Sequence, residues 1–234
     1  MADPCIRMSK ATLARLPFYY RSIAAFARAG KARVSSAELA ARVGVDSAQV
    51  RRDLSSIGRF GRAGIGYEIP DLLGALEEIL GMKNRTEAVL VGVGRLGAAL
   101  FRYPGFEEYG LRIVALFDSD PAKIGQKVEG TVIYGLPDLA RLVRRLRIQM
   151  GIITVPGSEA QGVADLLVES GIIAIWNFAP VGITVPPGVM VRDEDLAAGL
   201  SHLSRHLAVA PTSGMHEAMD GGRKVGPDEE TLSE

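Results

Sequence analysis

One cysteine, Cys5, stands among 234 residues. That scarcity excludes a disulfide scaffold and any zinc site built on cysteines, and it fits a reducing compartment. Histidine is nearly as rare, with His202, His206 and His216 all close to the C-terminal end. His202 and His206 lie one helical turn apart and could share a metal, but no third ligand accompanies them, so surface residues are expected and no metal is assigned. Long apolar runs are missing as well. The longest uncharged stretch, residues 170–191, is broken by Asn177, Pro180, Gly182, Pro186, Pro187 and Gly188, which suits a buried strand and turns better than a membrane span. No basic-plus-apolar leader opens the sequence, and the expectation is a soluble cytoplasmic protein with no membrane partner.

Hydrophobic residues at 47% and charged residues at 23% are ordinary for a folded chain, and the length suits two modest domains. A net charge of zero conceals an asymmetry. Residues 1–66 hold twelve Lys/Arg against four Asp/Glu, a surplus of eight positive charges, and the remainder carries the opposite surplus. A basic N-terminal part suggests a polyanionic partner, with a solvated basic face as the plain alternative.

The pattern across residues 11–65 reads as three helices and a hairpin. Leu13, Leu16, Tyr20, Ile23, Ala24 and Ala27 recur at helical spacing before Gly30. Ser35-Ser36-Ala37-Glu38 is a capping box opening a short helix that Gly44 ends. Asp46-Ser47-Ala48-Gln49 caps another helix two residues later, which buries Val50, Leu54 and Ile57 and turns Ser47, Ala48, Arg51, Arg52 and Ser55 outward. Two helices joined by a tight glycine turn are a helix-turn-helix signature, and Gln49, Arg51 and Arg52 are the side-chain types that read base edges. Arg59 to Ile69 follows as a glycine-rich wing with Arg62 near its tip, suited to the minor groove. Ser47, Gln49, Arg51, Arg52 and Arg62 are therefore the candidate contacts to double-stranded DNA. Pro70 then starts a helix through Leu72, Leu76 and Ile79, and a boundary is expected near residues 80–86.

Strands are expected at residues 88–91, 111–117, 131–134, 150–155 and 172–176, with helices at 95–102, 136–146 and 159–170. Alternating strands and helices, with nearly continuous Val/Ile/Leu strands, imply a parallel sheet covered on both faces. The fold class is thus α/β, an N-terminal winged helix-turn-helix followed by a Rossmann-type domain. The first strand runs into Gly92-Val93-Gly94-Arg95-Leu96-Gly97, and the second ends at Asp118, 21 residues beyond Gly97. Glycines in this context allow a tight turn, close backbone approach to a pyrophosphate and helix-on-strand packing, while the carboxylate accepts from ribose hydroxyls and repels a 2′-phosphate. NADH or NAD+ is the expected ligand.

Machinery for hydride transfer is not evident. Tyr103 is followed four residues on by Glu107, and Tyr134 by Asp138, so neither makes a Tyr-x-x-x-Lys pair. Ser158 in Pro156-Gly157-Ser158-Glu159-Ala160 departs from a nucleophile elbow. No catalytic residue is assigned; the competing class is an NAD-dependent oxidoreductase with a basic appendage. Asp193-Glu194-Asp195 is read as the start of a helix through Leu196, Leu200, Leu203 and Leu207, its acids suiting the helix dipole and its apolar stripe packing between subunits. Residues 211–234, rich in small and acidic residues, read as a disordered tail. The expected division is 1–82 DNA binding, 83–192 NAD(H) binding, 193–210 dimerisation helix and 211–234 tail.

Several stretches together resemble the Rex family of redox-sensing transcriptional repressors. They are Arg15-Leu16-Pro17-Phe18-Tyr19-Tyr20-Arg21, Val34-Ser35-Ser36-Ala37-Glu38-Leu39, Gln49-Val50-Arg51-Arg52-Asp53-Leu54-Ser55 and Gly61-Arg62-Ala63-Gly64-Ile65-Gly66-Tyr67. The glycine motif at 92–97, Tyr103-Pro104-Gly105-Phe106, Phe117-Asp118-Ser119-Asp120, Thr154-Val155-Pro156 and Asn177-Phe178-Ala179-Pro180 continue the series in family order over residues 10–208. The resemblance implies a homodimer with an exchanged C-terminal helix, released from operator DNA by NADH while NAD+ competes weakly. It implies DNA contacts from Arg51, Arg52 and Arg62, pyrophosphate and ribose contacts from Arg95 and Asp118, and a nucleotide set extended to Tyr103, Pro156, Asn177 and Phe178. It also implies a switch in which Asp195 exchanges between Tyr103 and Arg21. Ser56-Ile57 departs from the aromatic pair common in the family, and Leu196 stands where some members place an aromatic against the nicotinamide.

Overall fold

A computed structural model describes residues 8–62, 65–198, 200 and 204, with the side chain of Arg62 outside the description. Two compact units divide the chain, Met1–Glu194 and Asp195–Glu234.

The first unit opens with helix α1 (Lys10–Arg28), capped by Ser9, whose hydroxyl accepts from the Thr12 N–H. It runs through Pro17, which lacks the N–H for one helical bond. Strand β1 (Arg33–Val34) leads to α2 (Ser36–Val43), where the expected capping box is formed: Ser35 Oγ accepts from Glu38 N, and Glu38 answers to Ser35 N at 2.9 Å. Gly44 closes that helix at φ +75°, and α3 (Ser47–Ile57) begins from Asp46, which accepts from Gln49 N at 2.7 Å. Strands β2 (Gly61–Arg62) and β3 (Gly66–Glu68) form the wing with β1 in the order β1-β3-β2. Helix α4 (Ile69–Ile79) completes the head. Its core is Leu16, Tyr19 and Ile23 of α1 against Leu39, Val50, Leu54, Leu72 and Leu76, all fully or nearly fully buried. Each such side chain contributes about 1.5–3 kcal/mol on leaving water.

Beyond the head come β4 (Thr86–Val91), α5 (Arg95–Phe101), α6 (Gly105–Glu108), β5 (Leu111–Asp118), β6 (Lys127–Val128), β7 (Thr131–Gly135), α7 (Leu139–Leu146), β8 (Met150–Ile153), α8 (Gly157–Glu169), β9 (Ala174–Asn177) and β10 (Met190–Asp193). They build a sheet in the order β10-β9-β8-β4-β5-β7-β6, parallel throughout except for the β6–β7 pair. Alternation along β4 sends Val89 and Val91 to one core and Ala88 and Leu90 to the other, so both faces are covered. From β4 the chain first builds outward through β5 and β7, then returns to place β8 on the other side. The carboxyl ends of β4 and β8 therefore flank the topological switch point, where open α/β sheets bind ligands.

Two expectations change. The sheet has two strands more than the five expected: the short β6, and β10, which pairs parallel with β9. Asp193 lies in that strand and does not open a helix; its carboxylate accepts from Asn177 Nδ2 at 2.7 Å, and Glu194 N donates to Asn177 O. Pairing with the sheet outweighs the local preference of acids for a helix start. In the second unit, Asp195 Oδ1 accepts from Ala197 N at 2.8 Å and Ala198 N at 3.1 Å, and Ala198, Leu200 and Ser204 are helical. His202, Leu203, His206, Leu207, His216 and residues 211–234 lie outside the described residues.

Candidate DNA-reading face and nucleotide cleft

Helix α3 presents Arg51, Arg52, Ser55 and Ser56 as exposed residues, whereas Ser47, Ala48 and Gln49 are half-buried against the preceding turn. Arg51 Nη1 reaches Ser36 Oγ at 3.2 Å and Ser47 Oγ at 3.3 Å. Arg52 Nη2 donates to Gln49 Oε1 at 2.8 Å, and Gln49 Nε2 donates in turn to Asp53 Oδ1 at 2.8 Å. Two of the expected readers, Gln49 and Arg52, thus form one chain of side-chain bonds, and Arg51 with Ser47 forms a separate set. Of the wing, β2 includes Arg62, the expected minor-groove residue. The hydroxyl of Ser56 donates back to Asp53 O, and Ile57 packs on the head core, so the departure from an aromatic pair there is accommodated.

Asp53 anchors that chain and was not legible as more than one charge in Arg51-Arg52-Asp53. It is 2% exposed and accepts from Arg15 Nε (2.7 Å) and Nη2 (2.9 Å), Tyr19 Oη (2.8 Å), Thr12 Oγ1 (3.2 Å) and Gln49. Burial would push its carboxyl up, but the guanidinium of Arg15 and the hydrogen bonds of Tyr19 and Gln49 hold it at about 2. Burial and the same carboxylate raise the Tyr19 phenol to about 12. The available signal was a polar stripe of Thr12, Arg15 and Tyr19 at helical spacing on α1.

On the sheet, the switch point carries a cavity of about 490 Å³ lined by Gly92, Gly94, Arg95, Leu96, Asp118, Pro156 and Phe178. Gly92 takes φ +100°, and a Cβ there would stand 2.7 Å from Thr154 O, so the turn accepts no side chain. A Cβ on Gly97 would collide with Gly92 O, which makes this glycine the point where α5 presses on the strand end. Thr154 Oγ1 locks the turn by donating to Gly92 O at 2.7 Å. Gly94 is exposed, with nothing within 4 Å of the place a Cβ would occupy. Such a bare backbone beside Arg95 fits the approach of a pyrophosphate.

Asp118 is 5% exposed at the end of β5. Its Oδ2 accepts from Val93 N at 2.8 Å and Lys123 Nζ at 2.9 Å, and its Oδ1 from Asp120 N at 2.9 Å. Burial opposes ionisation, but the Asp120 N–H, the Lys123 ammonium and the Val93 N–H outweigh it and keep the carboxyl below its ordinary range. It is an ionised acceptor, as ribose recognition requires. Lys123 went unnoticed in the sequence because it sits in a polar loop without periodicity.

The remaining expected nucleotide residues divide. Val93 and Gly97 shape the loop from behind, both buried. Asn177 is fully buried and its amide is engaged inside the protein, donating to Val181 O and Asp193 and accepting from Ala179 N. Tyr103 lies outside the cleft lining, 57% exposed beside a second cavity bordered by Arg102 and Glu129. An aromatic series joins the two places: Tyr103 meets Phe106 (5.1 Å between ring centres), Phe106 meets Trp176 (5.4 Å), and Trp176 meets Phe178 (4.8 Å) at the cleft wall. Arg21 is exposed on α1 with its guanidinium 5.0 Å from the Phe18 ring centre. Among the described residues no group of three His, Cys, Asp or Glu side chains is arranged to hold a metal ion, and no helix is long and apolar enough to cross a membrane.

A helix-turn-helix head with a wing, carried in one compact unit with a Rossmann-type nucleotide cleft, defines a ligand-responsive DNA-binding class. Two family models match in agreement with that division, "Putative DNA-binding protein N-terminus" over residues 7–55 and "CoA binding domain" over residues 83–181. The chain is 47% identical over 194 residues to the redox-sensing transcriptional repressor Rex of Chloroflexus aurantiacus, covering 83% of this chain and 92% of that one. It is 42% identical over 204 residues to the Rex repressor of a Roseiflexus species, covering 87% and 93%. Among solved structures it is similar to RSP in complex with β-NAD+ and operator DNA (TM-score 0.81, 34% identity, 86% of this chain and 92% of that one) and to RSP in complex with β-NADH (TM-score 0.79, 33% identity, 86% and 94%). The chain belongs to the Rex family of redox-sensing transcriptional repressors.

Proposed function

We propose that this protein represses transcription by binding operator DNA through α3 and the wing, and that NADH bound at the switch-point cleft releases it. The observation carrying this reading is the joining, within one compact unit, of a recognition helix to a cleft whose glycine loop and ionised Asp118 suit a dinucleotide. RSP, at 34% identity, is a relative solved with β-NAD+ and operator DNA and, separately, with β-NADH. NADH and NAD+ are sensed ligands here, not consumed, and the protein is not an enzyme. It works in the cytoplasm, where its operator and the NAD(H) pool meet.

Residues 1–82 serve as the DNA-reading head, with Ser47, Gln49, Arg51, Arg52 and Arg62 as contacts. Residues 83–192 serve as the sensor: Gly92, Val93, Gly94, Arg95, Leu96 and Gly97 cradle the pyrophosphate, Asp118 receives the ribose hydroxyls, and Pro156 and Phe178 wall the cleft. Asn177 acts from behind, by fixing the β9–β10 edge, and Tyr103 acts through the aromatic series. Residues 195–210 exchange in a homodimer, and Arg21, Tyr103 and Asp195 form the switch set; the family resemblance supports this part. A ligand shifts such an equilibrium only by its difference in affinity for the two states. The test is a gel shift on upstream DNA of respiratory and fermentation genes, in which NADH should abolish a complex that forms without it. A complex indifferent to NADH, or none on any such DNA, would overturn the reading.

A further inference from the structure

Lys123 lies in the cleft with its ammonium 2.9 Å from Asp118 Oδ2 and 4.0 Å from Asp120 Oδ2, and its side chain is 36% exposed. Three of the roughly four lone-pair directions of the Asp118 carboxylate are already taken, by Val93 N, Asp120 N and Lys123. A ribose diol brings two hydroxyl donors to that carboxylate, so Lys123 must give up or share its place when the nucleotide enters. A hydroxyl that Asp118 accepts from would lie within reach of that ammonium, and so would a phosphate carried on it.

We propose that Lys123 is a specificity-determining residue, a latent 2′-phosphate ligand that Asp118 holds in check. This rests on the reading of the cleft as a dinucleotide site. Discrimination between NADH and NADPH is then a property of the three charged groups together. Asp118, Asp120 and Lys123 sum to one negative charge. Removing Lys123 leaves two negative charges facing the phosphate, removing Asp118 leaves none, and removing both restores one. A charge-assisted hydrogen bond changes affinity by about tenfold or more.

The experiment measures NADH and NADPH binding to the full-length protein through quenching of Trp176, the single tryptophan of the chain, which packs on Phe178 at the cleft wall. The ratio of the NADPH to the NADH dissociation constant should rise about tenfold in Lys123→Ala and fall about tenfold in Asp118→Ala. In the double variant it should return near the parent's. Circular dichroism verifies that each variant is folded, and Lys123→Arg, which keeps the charge, should stay near the parent. If Asp118 alone sets the choice, Lys123→Ala will match the parent and the double variant will match Asp118→Ala, which overturns the proposal. A parent that binds neither nucleotide would overturn the cleft assignment itself, a different outcome from a parent that binds NADH but ignores Lys123.

Discussion

Asp53→Asn should destabilise the head strongly. The carboxylate is 2% exposed and takes five donated hydrogen bonds, two of them from one guanidinium. Asparagine keeps one acceptor oxygen and, in either orientation, turns its NH2 toward a nitrogen of the Arg15 guanidinium, which can only donate. Breaking a buried ion pair from one side costs about 3–5 kcal/mol. Arg15 keeps 24% of its side chain exposed and can return its charge to water, which sets the expected loss at the low end, about 3 kcal/mol. Arg15→Ala leaves the carboxylate bonded to Tyr19, Thr12 and Gln49 but buried without its counter-charge, and should cost a comparable amount. The assay is urea unfolding of the full chain followed by far-ultraviolet circular dichroism, with a lowered midpoint and an unchanged slope. The same carboxyl sits at about 2 in the folded protein against an ordinary 3.8. Its folded value is depressed, so its contribution is complete above about pH 4 and drains away as pH falls toward 2, an acid-dependent loss of about 2 kcal/mol that the variant should lack. A variant losing under about 1 kcal/mol, or one with the parent's full acid dependence, would refute the assignment of Asp53 as the anchor of α3 on α1.

Arg52→Ala should weaken operator binding by about 1–3 kcal/mol if it reads a base edge, whereas a phosphate contact would weaken all sequences alike and lower the salt slope by about one; fluorescence anisotropy on matched and scrambled DNA separates the two. Asp118→Ala should weaken NADH binding by about 1.5–3 kcal/mol, since the ribose hydroxyls lose a charged acceptor, and a titration equal to the parent's would remove that role. Asp195→Ala separates cap from switch. The two backbone bonds it accepts predict a stability loss of about 0.5–2 kcal/mol, whereas a role in coupling predicts that operator affinity with and without NADH will differ less than in the parent. A variant that melts earlier yet responds fully to NADH would make Asp195 a cap alone.

Where local chemistry decides structure, the sequence was readable. Ser35 with Glu38, Asp46 before Gln49, and Gly44 define the two helices of the turn, because capping bonds are made between neighbours in the chain. The glycine loop was equally legible, since close approach at Gly92 and Gly97 leaves no other residue able to fit. What escaped was set by partners far along the chain. Strand β10 exists because β9 offers an edge 13 residues earlier, and without that partner Asp193 reads as part of a helix start, a role that only Asp195 fills by accepting from Ala197 N and Ala198 N. Asp53 and Arg15 are 38 residues apart, and only the packing of α3 on α1 turns an apparent surface charge into a buried anchor. Resemblance places Asn177 among the ligand contacts, whereas its amide is bonded to Val181 and Asp193.

If the ratio of NADH to NAD+ sets occupancy of the operator, anisotropy of labelled operator DNA with full-length protein will follow that ratio when the total nucleotide concentration is held fixed and saturating while the NADH fraction is stepped from zero to one. DNA should be bound in NAD+ and released progressively as NADH replaces it, with apparent operator affinity falling by a coupling of about 1–3 kcal/mol. Binding that stays constant across the series, or that strengthens as NADH rises, would contradict it.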